Sequence, residues 1–457
     1  MSFSAASAHL RPLPQVTPGK MSKTRCATST LTRKHIPGLA AQRSLRWFQE
    51  VLMIVYIGID WSKEKHDIGF MNEKGGQILH MTIPHSPEGF ERFDQQRIKL
   101  GFEAEACLVG IETHHNLFLD YLQSRGYRQI YVLSPFQVSR TRGRYRASGA
   151  SDDQSDAFML ADILRTDRHR LSQWQPNSSL TQQIASRTSL QRFLTSNITQ
   201  STNRLRMVLW RYYPNAAHVF SKLTAKIALE LICAYPTPAD AEKLAYEDFR
   251  EFARQHRYPN PEKLPACFAR LQQPQPVADP TTVKAFQDEA VRLAHLILEM
   301  VRERDATERE IKNLFAAHPD ASIFSSLPGA GDKLAPALLA KFGDNRQRFP
   351  TAQVLQATAG TSPYTKKSGK RKYVRFRKAC DREFRSIVHL WAKASLKQSV
   401  WANMYFQKAQ RRCHSINHAY RCLGNRWLAI AWRIWQDRVP YDESLHLQRH
   451  ALRVKPQ

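Results

Sequence analysis

Short apolar runs predict a series of strands in the first third of the chain. Val55–Ile59 is one such run, and a carboxylate, Asp60, follows it directly. His66–Met71 and Ile78–Ile83 flank a turn at Glu73-Lys74-Gly75-Gly76, a pattern typical of antiparallel strands. Two later runs predict further strands, at Cys107–Glu112 and Gln129–Leu133.

Helical patterns alternate with these strands. Pro87–Leu100 has Ser86 as a candidate N-cap and proline at its first position. Leu117–Arg125 and Ser155–Arg165 are also predicted to be helical. A three-stranded meander, a helix, and then alternating strands and helices match an α/β RNase H-like core, which we expect over residues 53–172.

Two longer helical segments follow. Apolar residues recur at 4-3 spacing in residues 180–212 and, more regularly, in 283–314. This pattern favours a coiled coil or a long helical hairpin. An ordinary amphipathic pair is an equal alternative for the first segment, because polar residues interrupt its seam. We expect a helical coiled-coil region with a proline-rich insert over residues 173–316.

The last third opens with a turn pattern before a helix. Leu327-Pro328-Gly329-Ala330-Gly331 precedes the predicted helix Leu334–Phe342. A PGxG turn in this position is typical of helix-hairpin-helix elements, whose backbone N–H groups can hold a DNA phosphate. We predict a mainly α-helical C-terminal domain over residues 317–440 and a tail over 441–457.

The first 52 residues have the composition of a transit peptide, rich in Ser, Thr and Arg. Met53 nevertheless lies directly before the first strand, as a natural start would. We therefore expect residues 1–52 to be a disordered or non-native extension.

The charge of the chain indicates a polyanionic partner. The 457 residues include 68 Lys and Arg against 40 Asp and Glu, a net charge of +28. Residues 366–438 hold 19 basic and 3 acidic residues, so their local excess is 19 − 3 = +16. This uneven distribution favours nucleic acid over the alternative of a merely basic soluble protein. The seven cysteines form no CxxC pair and indicate reduced, intracellular thiols.

Four carboxylates form a candidate metal site. Asp60 and Glu112 end predicted strands, and Asp153 and Asp156 lie three apart on one helix face. Acids at the ends of buried strands are costly unless a positive charge neutralises them. Such a cluster can hold two Mg²⁺ ions about 4 Å apart during phosphoryl transfer. Asp152 competes with Asp153, because Asp152 and Asp156 are an equally good i, i+4 pair.

Ser368 is a candidate nucleophile in a basic loop. It precedes Gly369, and nearby cations would favour its alkoxide and stabilise an attacked phosphate. A loop that only contacts phosphate is the competing interpretation, and Ser362 and Tyr364 are alternative hydroxyl groups. The basic residues expected to bind nucleic acid are Lys366, Lys367, Lys370, Arg371, Lys372, Arg375, Arg377 and Lys378.

Aromatic residues interleave with this basic segment. Tyr373, Phe376 and Phe384 suit base stacking, whereas the spacing of Trp391 and Trp401 is more typical of a helical core.

A histidine and cysteine pattern lies further along. His414, His418 and Cys422 recur every four residues on a predicted helix, which could form a metal-binding face. Ordinary helix packing is the favoured interpretation, because no fourth ligand is evident.

These motifs, in their order, resemble the DEDD-type, serine-dependent transposases of bacterial insertion elements, also described as bridge-RNA-guided recombinases. The matching segments cover about residues 53–435: Gly58-Ile59-Asp60, Ile111-Glu112-Thr113, Asp153-Gln154-Ser155-Asp156-Ala157, Leu327-Pro328-Gly329-Ala330-Gly331, Ala359-Gly360-Thr361-Ser362-Pro363 and Ser368-Gly369. The Asp-Ala step of the third motif favours Asp153 over Asp152. Thr361, where Leu is usual, and Ser151-Asp152 depart from the family pattern.

The resemblance implies a mechanism and its partners. A RuvC-like domain would hold Mg²⁺ through Asp60, Glu112, Asp153 and Asp156, and Ser368 would form a phosphoserine link to DNA. Acids and serine would come from different protomers of a homodimer or homotetramer, aided by the coiled coil. Double-stranded DNA at the element ends and target, and a structured guide RNA, would be the partners in a bacterial, nucleoid-associated cytoplasmic protein.

Two other functions remain as alternatives from the residues alone. The first is a Mg²⁺-dependent hydrolytic nuclease or junction resolvase, in which water attacks and Ser368 only contacts phosphate. The second is a non-catalytic nucleic-acid-binding protein.

Overall fold

A computed structural model of the chain describes residues 54–112, 117–133, 138, 141, 153–369 and 371–444. The predicted extension over residues 1–52 and most of the tail lie outside the described residues. Within the described ranges, no helix is long and apolar enough to cross a membrane.

The N-terminal region contains a five-stranded mixed sheet. Its strands are β1 (Val55–Trp61), β2 (Lys65–Met71), β3 (Gln77–Pro84), β4 (Cys107–Ile111) and β5 (Gln129–Val132). The order in the sheet is β3-β2-β1-β4-β5. The first three strands form an antiparallel meander, and β4 and β5 run parallel to β1. This topology confirms the predicted strands and is consistent with the RNase H-like expectation.

Helices cover both faces of this sheet. They are α1 (Pro87–Lys99), α2 (Leu117–Ser124) and α3 (Asp153–Asp167). Side chains of Val55, Ile57 and Ile59 share a core with Phe93 of α1 and Phe118 of α2. The opposite face packs against α3. Because side chains alternate along a strand, each strand residue can be assigned to one of these two faces.

The helical region is built on two long helices. The helices from here to residue 316 are α4 (Ser179–Tyr212), α5 (Lys226–Ala234), α6 (Pro238–Glu242), α7 (Tyr246–Gln255), α8 (Leu264–Leu271) and α9 (Pro280–Ala316). Arg187 pairs with Glu310 at 2.6 Å and Arg204 with Glu289 at 2.7 Å, so α4 and α9 run antiparallel. The short helices of the insert share one hydrophobic core with this pair.

Polar residues are accommodated inside the α4 seam. Thr188 and Thr202 are buried, and their hydroxyls donate to the carbonyls of Ile184 (2.8 Å) and Ile198 (2.6 Å). Gln191, which interrupts the seam in the sequence, is also buried. The buried face of α4 therefore continues through positions that are occupied by polar residues.

A second helical core forms the C-terminal region. Its elements are α10 (Ala321–Ser325), α11 (Gly331–Phe342), α12 (Ala352–Thr358), β6 (Tyr364–Ser368), β7 (Arg371–Arg375), α13 (Arg382–Ser395), α14 (Val400–Arg412) and α15 (Ile416–Asp437). Trp391, Trp401 and Trp427 are buried in this core. The first two confirm the prediction that these tryptophans are core residues.

The PGxG turn between α10 and α11 is engaged within the protein. The N–H of Gly329 donates to Gln398 Oε1 at 2.6 Å, and Trp391 Nε1 donates to the carbonyl of Pro328 at 3.0 Å. A Cβ at Gly329, whose φ is +76°, would collide with the backbone of Ala394 and Ser395. The turn thus has a packing role that accounts for its glycine.

Candidate active site

Two glycines allow α3 to lie directly against the centre of the sheet. Gly58 of β1 and Gly110 of β4 are register partners. A Cβ at Gly58 would collide with the carbonyl oxygen of Ala157, and one at Gly110 would lie 3.3 Å from Leu133 and 3.4 Å from the Leu160 carbonyl. Both glycines therefore face α3.

The two strand-end acids lie on this same face. Asp60 comes two residues after Gly58, and Glu112 two residues after Gly110. Alternation along the strands therefore directs both carboxylates to the α3 side, at the edge where the parallel strands β1 and β4 end. Both residues are half-buried, and both make interactions with other groups of the protein.

The first turn of α3 points toward this edge. Ala161 and Leu164, later in the helix, pack with Tyr56 and Leu108, which come early in their strands. The N-terminus of α3 therefore lies toward the strand ends. Asp156, in the first turn, is only 8% exposed. A helix N-terminus carries a partial positive charge that favours such a carboxylate.

The structure leaves the choice between Asp152 and Asp153 open. The helix begins at Asp153, but the side chain of Asp153 and the whole of Asp152 lie outside the described residues. The structure thus brings Asp60, Glu112 and Asp156 toward one edge, and Asp153 lies on the same helical turn as Asp156.

A further carboxylate, absent from the sequence prediction, lies beside Asp60. Asp67 of β2 is its register partner, faces α3 and is 5% exposed. Its carboxylate accepts a hydrogen bond from Thr82 Oγ1 at 2.5 Å and lies 3.3 Å from His80 Nε2. The strand pairing across the turn at residues 62–64 was the signal that could have revealed it.

Ser368 lies on an exposed hairpin. It ends β6 and pairs with Arg371, the first residue of β7. Gly369 follows it with φ +54°, a backbone conformation that glycine adopts without strain. The side chain of Ser368 is exposed, as is that of Tyr364, whereas Ser362 is half-buried.

The predicted nucleic-acid-binding residues that the structure describes divide into two groups. Exposed side chains on or just after the hairpin are those of Lys366, Lys367, Arg371, Arg375 and Lys378. Arg377 is half-buried, and its Nε donates to the carbonyl of Ser362 at 3.4 Å, which gives it a positioning role. Lys370 and the side chain of Lys372 lie outside the described residues.

Arginines surround the base of the hairpin. The guanidinium carbons of Arg385 and Arg421 lie 4.8 and 4.5 Å from the ring centroid of Phe376. These residues line a cavity of about 390 Å³ together with Arg382, Ser386 and His389. Burial and the two arginines lower the pKa of His389, so its imidazole is neutral near pH 7. The cavity combines cationic groups with an aromatic ring, as a nucleic-acid contact requires.

The prediction that Phe384 suits base stacking is wrong. It is 1% exposed and belongs to the C-terminal core, whereas Tyr373 and Phe376 are exposed. Its helical position on the inner face of α13 explains the difference.

The acids and Ser368 are positioned by different hydrophobic cores. The acid edge belongs to the sheet and α3, while the hairpin extends from the C-terminal helical core. The long pair α4 and α9 comes between them in the chain.

Sequence comparisons identify relatives over most of the chain. Residues 57–214 match a family of the IS110 DEDD type described as "Transposase", and residues 321–407 match one described as "Transposase IS116/IS110/IS902 family". A mini-circle protein of Streptomyces coelicolor, named as a transposase for IS117, is 30% identical over 406 residues, which cover 86% of this chain and 96% of the relative. An insertion element IS110 protein of the same species is 24% identical over 86% of this chain and 96% of its own length. An insertion element IS900 protein of Mycobacterium paratuberculosis is 24% identical over 85% and 98%, respectively.

Proposed function

Because the chain belongs to the IS110/IS116 family of insertion-element transposases and is therefore a DNA transposase, we propose that it cuts and rejoins DNA through a phosphoserine at Ser368. Asp60, Glu112, Asp153 and Asp156 hold the metal in this proposal. The observation that supports it most is that Gly58 and Gly110 both face α3. Asp60 and Glu112 each follow two residues later, so their carboxylates are expected on the same face, at one edge of the sheet.

The donor set fits a hard divalent cation. Carboxylate oxygens are ligands that Mg²⁺ accepts in proteins, and they usually leave several of its positions to water and phosphate. A DEDD-type transposase domain points to a divalent metal, and Mg²⁺ is our specific proposal. When bound, the metal supplies charge stabilisation for the phosphate that is attacked. The acids would hold the positive charge of the metal at the edge of the buried sheet. The partial positive charge at the N-terminus of α3 offsets part of the repulsion between the carboxylates.

Ser368 supplies the nucleophile. Its Oγ forms a bond to phosphorus, the bond from phosphorus to a sugar oxygen breaks, the serine proton passes to solvent, and the departing oxygen gains a proton. The exposed cations Lys366, Lys367 and Arg371 hold the phosphate groups beside it. Because the phosphate stays attached to the protein, a second DNA end can replace the serine without hydrolysis.

The remaining features complete the proposed assembly. We propose three parts: a RuvC-like domain (53–172), a coiled-coil region (173–316) and a C-terminal serine domain (317–440). Their separate cores suit a site shared between protomers of a homo-oligomer. A structured guide RNA binding the basic C-terminal surface, with double-stranded DNA as substrate, follows from the family resemblance and the local charge.

Covalent capture of DNA tests the serine mechanism. With Mg²⁺ and DNA that carries an element end, we expect the native protein to form an adduct that survives denaturation. Ser368→Ala should lose it completely, because it removes the proposed nucleophile, and Tyr364→Phe should keep it. Chelation of the metal should also abolish the adduct, and added Mg²⁺ should restore it.

A hydrolytic nuclease, in which water attacks the phosphate, predicts the opposite result for these variants. If the Ser368→Ala variant still cuts DNA and the native protein forms no adduct, water is the nucleophile and the proposal fails. If Tyr364→Phe removes the adduct and Ser368→Ala does not, the serine assignment is wrong.

A further inference from the structure

Three metal-ligating side chains meet where α14 turns into α15. Cys413 follows the last residue of α14, and His418 and Cys422 lie four residues apart in the first two turns of α15. Residues four apart on a helix share one face, so the imidazole and the second thiol project together. All three side chains are half-buried.

The separations of their ligand atoms match a tetrahedral soft-metal site. The two sulfur atoms are 3.8 Å apart, and the ligand atoms of all three residues lie within 4.8 Å of one another. A tetrahedral zinc ion with Zn–S bonds of about 2.3 Å places two sulfurs about 3.8 Å apart. The pair is therefore already at the spacing that one shared zinc requires.

The local backbone fixes this arrangement. Ser415 is the N-cap of α15, and its hydroxyl accepts a hydrogen bond from the His418 N–H at 3.2 Å. This cap starts the helix at Ile416, so His414 lies before it and is exposed. The sequence pattern had grouped His414 with His418 and Cys422, but the structure replaces it with Cys413.

We propose that Cys413, His418 and Cys422 bind one Zn²⁺ ion, with a fourth position left to water or an exogenous ligand. On binding, the two thiols release their protons to solvent and His418 binds through a neutral ring nitrogen. The ion joins the end of α14 to the start of α15. Arg421, adjacent to Cys422, lies on the ring of Phe376, so the site also anchors the basic surface at the base of the Ser368 hairpin.

A disulfide is the other chemistry open to the two thiols. It would require the sulfurs to approach from 3.8 Å to about 2.05 Å and would leave His418 without a role. The three-residue cluster is better explained by a metal, and the intact mass of the protein separates the two cases.

Metal analysis of the full-length protein tests the site. We expect about one zinc per chain after purification without chelators. Replacing zinc with Co²⁺ should produce sulfur-to-cobalt charge-transfer absorption, which carboxylate sites cannot give. Cys422→Ser and His418→Ala should each weaken metal binding by at least about tenfold. His414→Ala and Cys380→Ser, which change a neighbouring histidine and a separate cysteine, should bind as the native protein does.

The outcomes are decisive in both directions. The site is supported if bound zinc and the cobalt spectrum are lost in Cys422→Ser and His418→Ala and are kept in the two control variants. A protein without zinc that develops no cobalt spectrum, equal binding by the Cys422→Ser variant, or a native Cys413–Cys422 disulfide would overturn it. Circular dichroism of each variant separates loss of the site from loss of the fold.

Discussion

His66 is a fully buried histidine on the face of the sheet opposite the proposed metal-binding acids. It is 0% exposed, its ring stacks on Phe118 at 5.2 Å, and its Nε2 lies 2.8 Å from Nδ1 of His85. Burial, the larger cause, and the neighbouring His85 lower its pKa to about 4, and Asp67 partly opposes the shift. His66 is therefore neutral in the folded protein at pH 7.

The low pKa of His66 predicts a specific pH dependence of stability. The unfolded chain binds its proton near pH 6.5, whereas the folded protein binds it only near pH 4. The stabilisation is complete above pH 6.5 and is lost as the pH falls toward 4, by up to about 3 kcal/mol. In denaturant titrations, His66→Phe should cost stability at pH 7, and this cost should shrink as the pH approaches 4. A stability difference between the native protein and His66→Phe that stays constant over this pH range would contradict the prediction.

At the residue scale, the sequence indicates candidate chemical groups where they coincide with a pattern. Asp60 and Glu112 end apolar runs, and Asp156 belongs to a family motif, so all three could be found. Asp67 was missed because its position beside Asp60 depends on the pairing of β1 with β2. Cys413 was missed because helical spacing was extended past the real start of α15 at Ile416.

At the scale of elements, Gly58 controls how closely α3 approaches the sheet. A methyl group there would collide with the carbonyl of Ala157 and lie 2.5 Å from the Ala161 nitrogen. Since these atoms belong to helix backbone, α3 would have to move as a unit. That movement would carry Asp156 away from Asp60.

We therefore expect Gly58→Ala to destabilise the protein by roughly 2 kcal/mol and to abolish adduct formation. Gly110→Ala is the matched control, because the nearest atom to its new methyl is a flexible Leu133 methyl at 3.3 Å. The control should lose less stability and keep activity. Thermal unfolding and the DNA-adduct assay measure the two effects. Equal losses in both variants would show that close packing at Gly58 has no special role.

Element prediction succeeded where one face of an element is buried. The strands of the sheet and the long helices α4 and α9 were found from their apolar spacing, to within a few residues. The β6–β7 hairpin was missed because every described side chain along it is exposed, so no alternation marks it. Its strands are specified by their pairing and the Gly369 turn instead.

At the scale of the whole molecule, the candidate acids and the basic surface belong to different parts of the chain. The acids that we propose to bind metal belong to the sheet and α3, and the basic surface belongs to the C-terminal core. Sequence could predict both parts, since each carries local motifs. It could not predict their relative arrangement, because that depends on packing between elements far apart in the chain.

A mixing experiment can detect whether the proposed site is shared between two protomers. Asp60→Asn lacks a proposed metal ligand and Ser368→Ala lacks the proposed nucleophile, so each should be inactive alone. When the two are mixed and allowed to exchange subunits, a mixed dimer has one site with both native groups. At equal amounts, about a quarter of all sites should be active.

The matched control uses the double variant Asp60→Asn/Ser368→Ala. Mixed with either single variant it cannot supply a complete site in any arrangement, so no activity should appear. Adduct yield per mole of protein measures the result, after sedimentation has established that the mixture exchanges. Full subunit exchange without recovered activity would mean that each chain uses its own acids with its own Ser368, and the proposal of a shared site would be wrong.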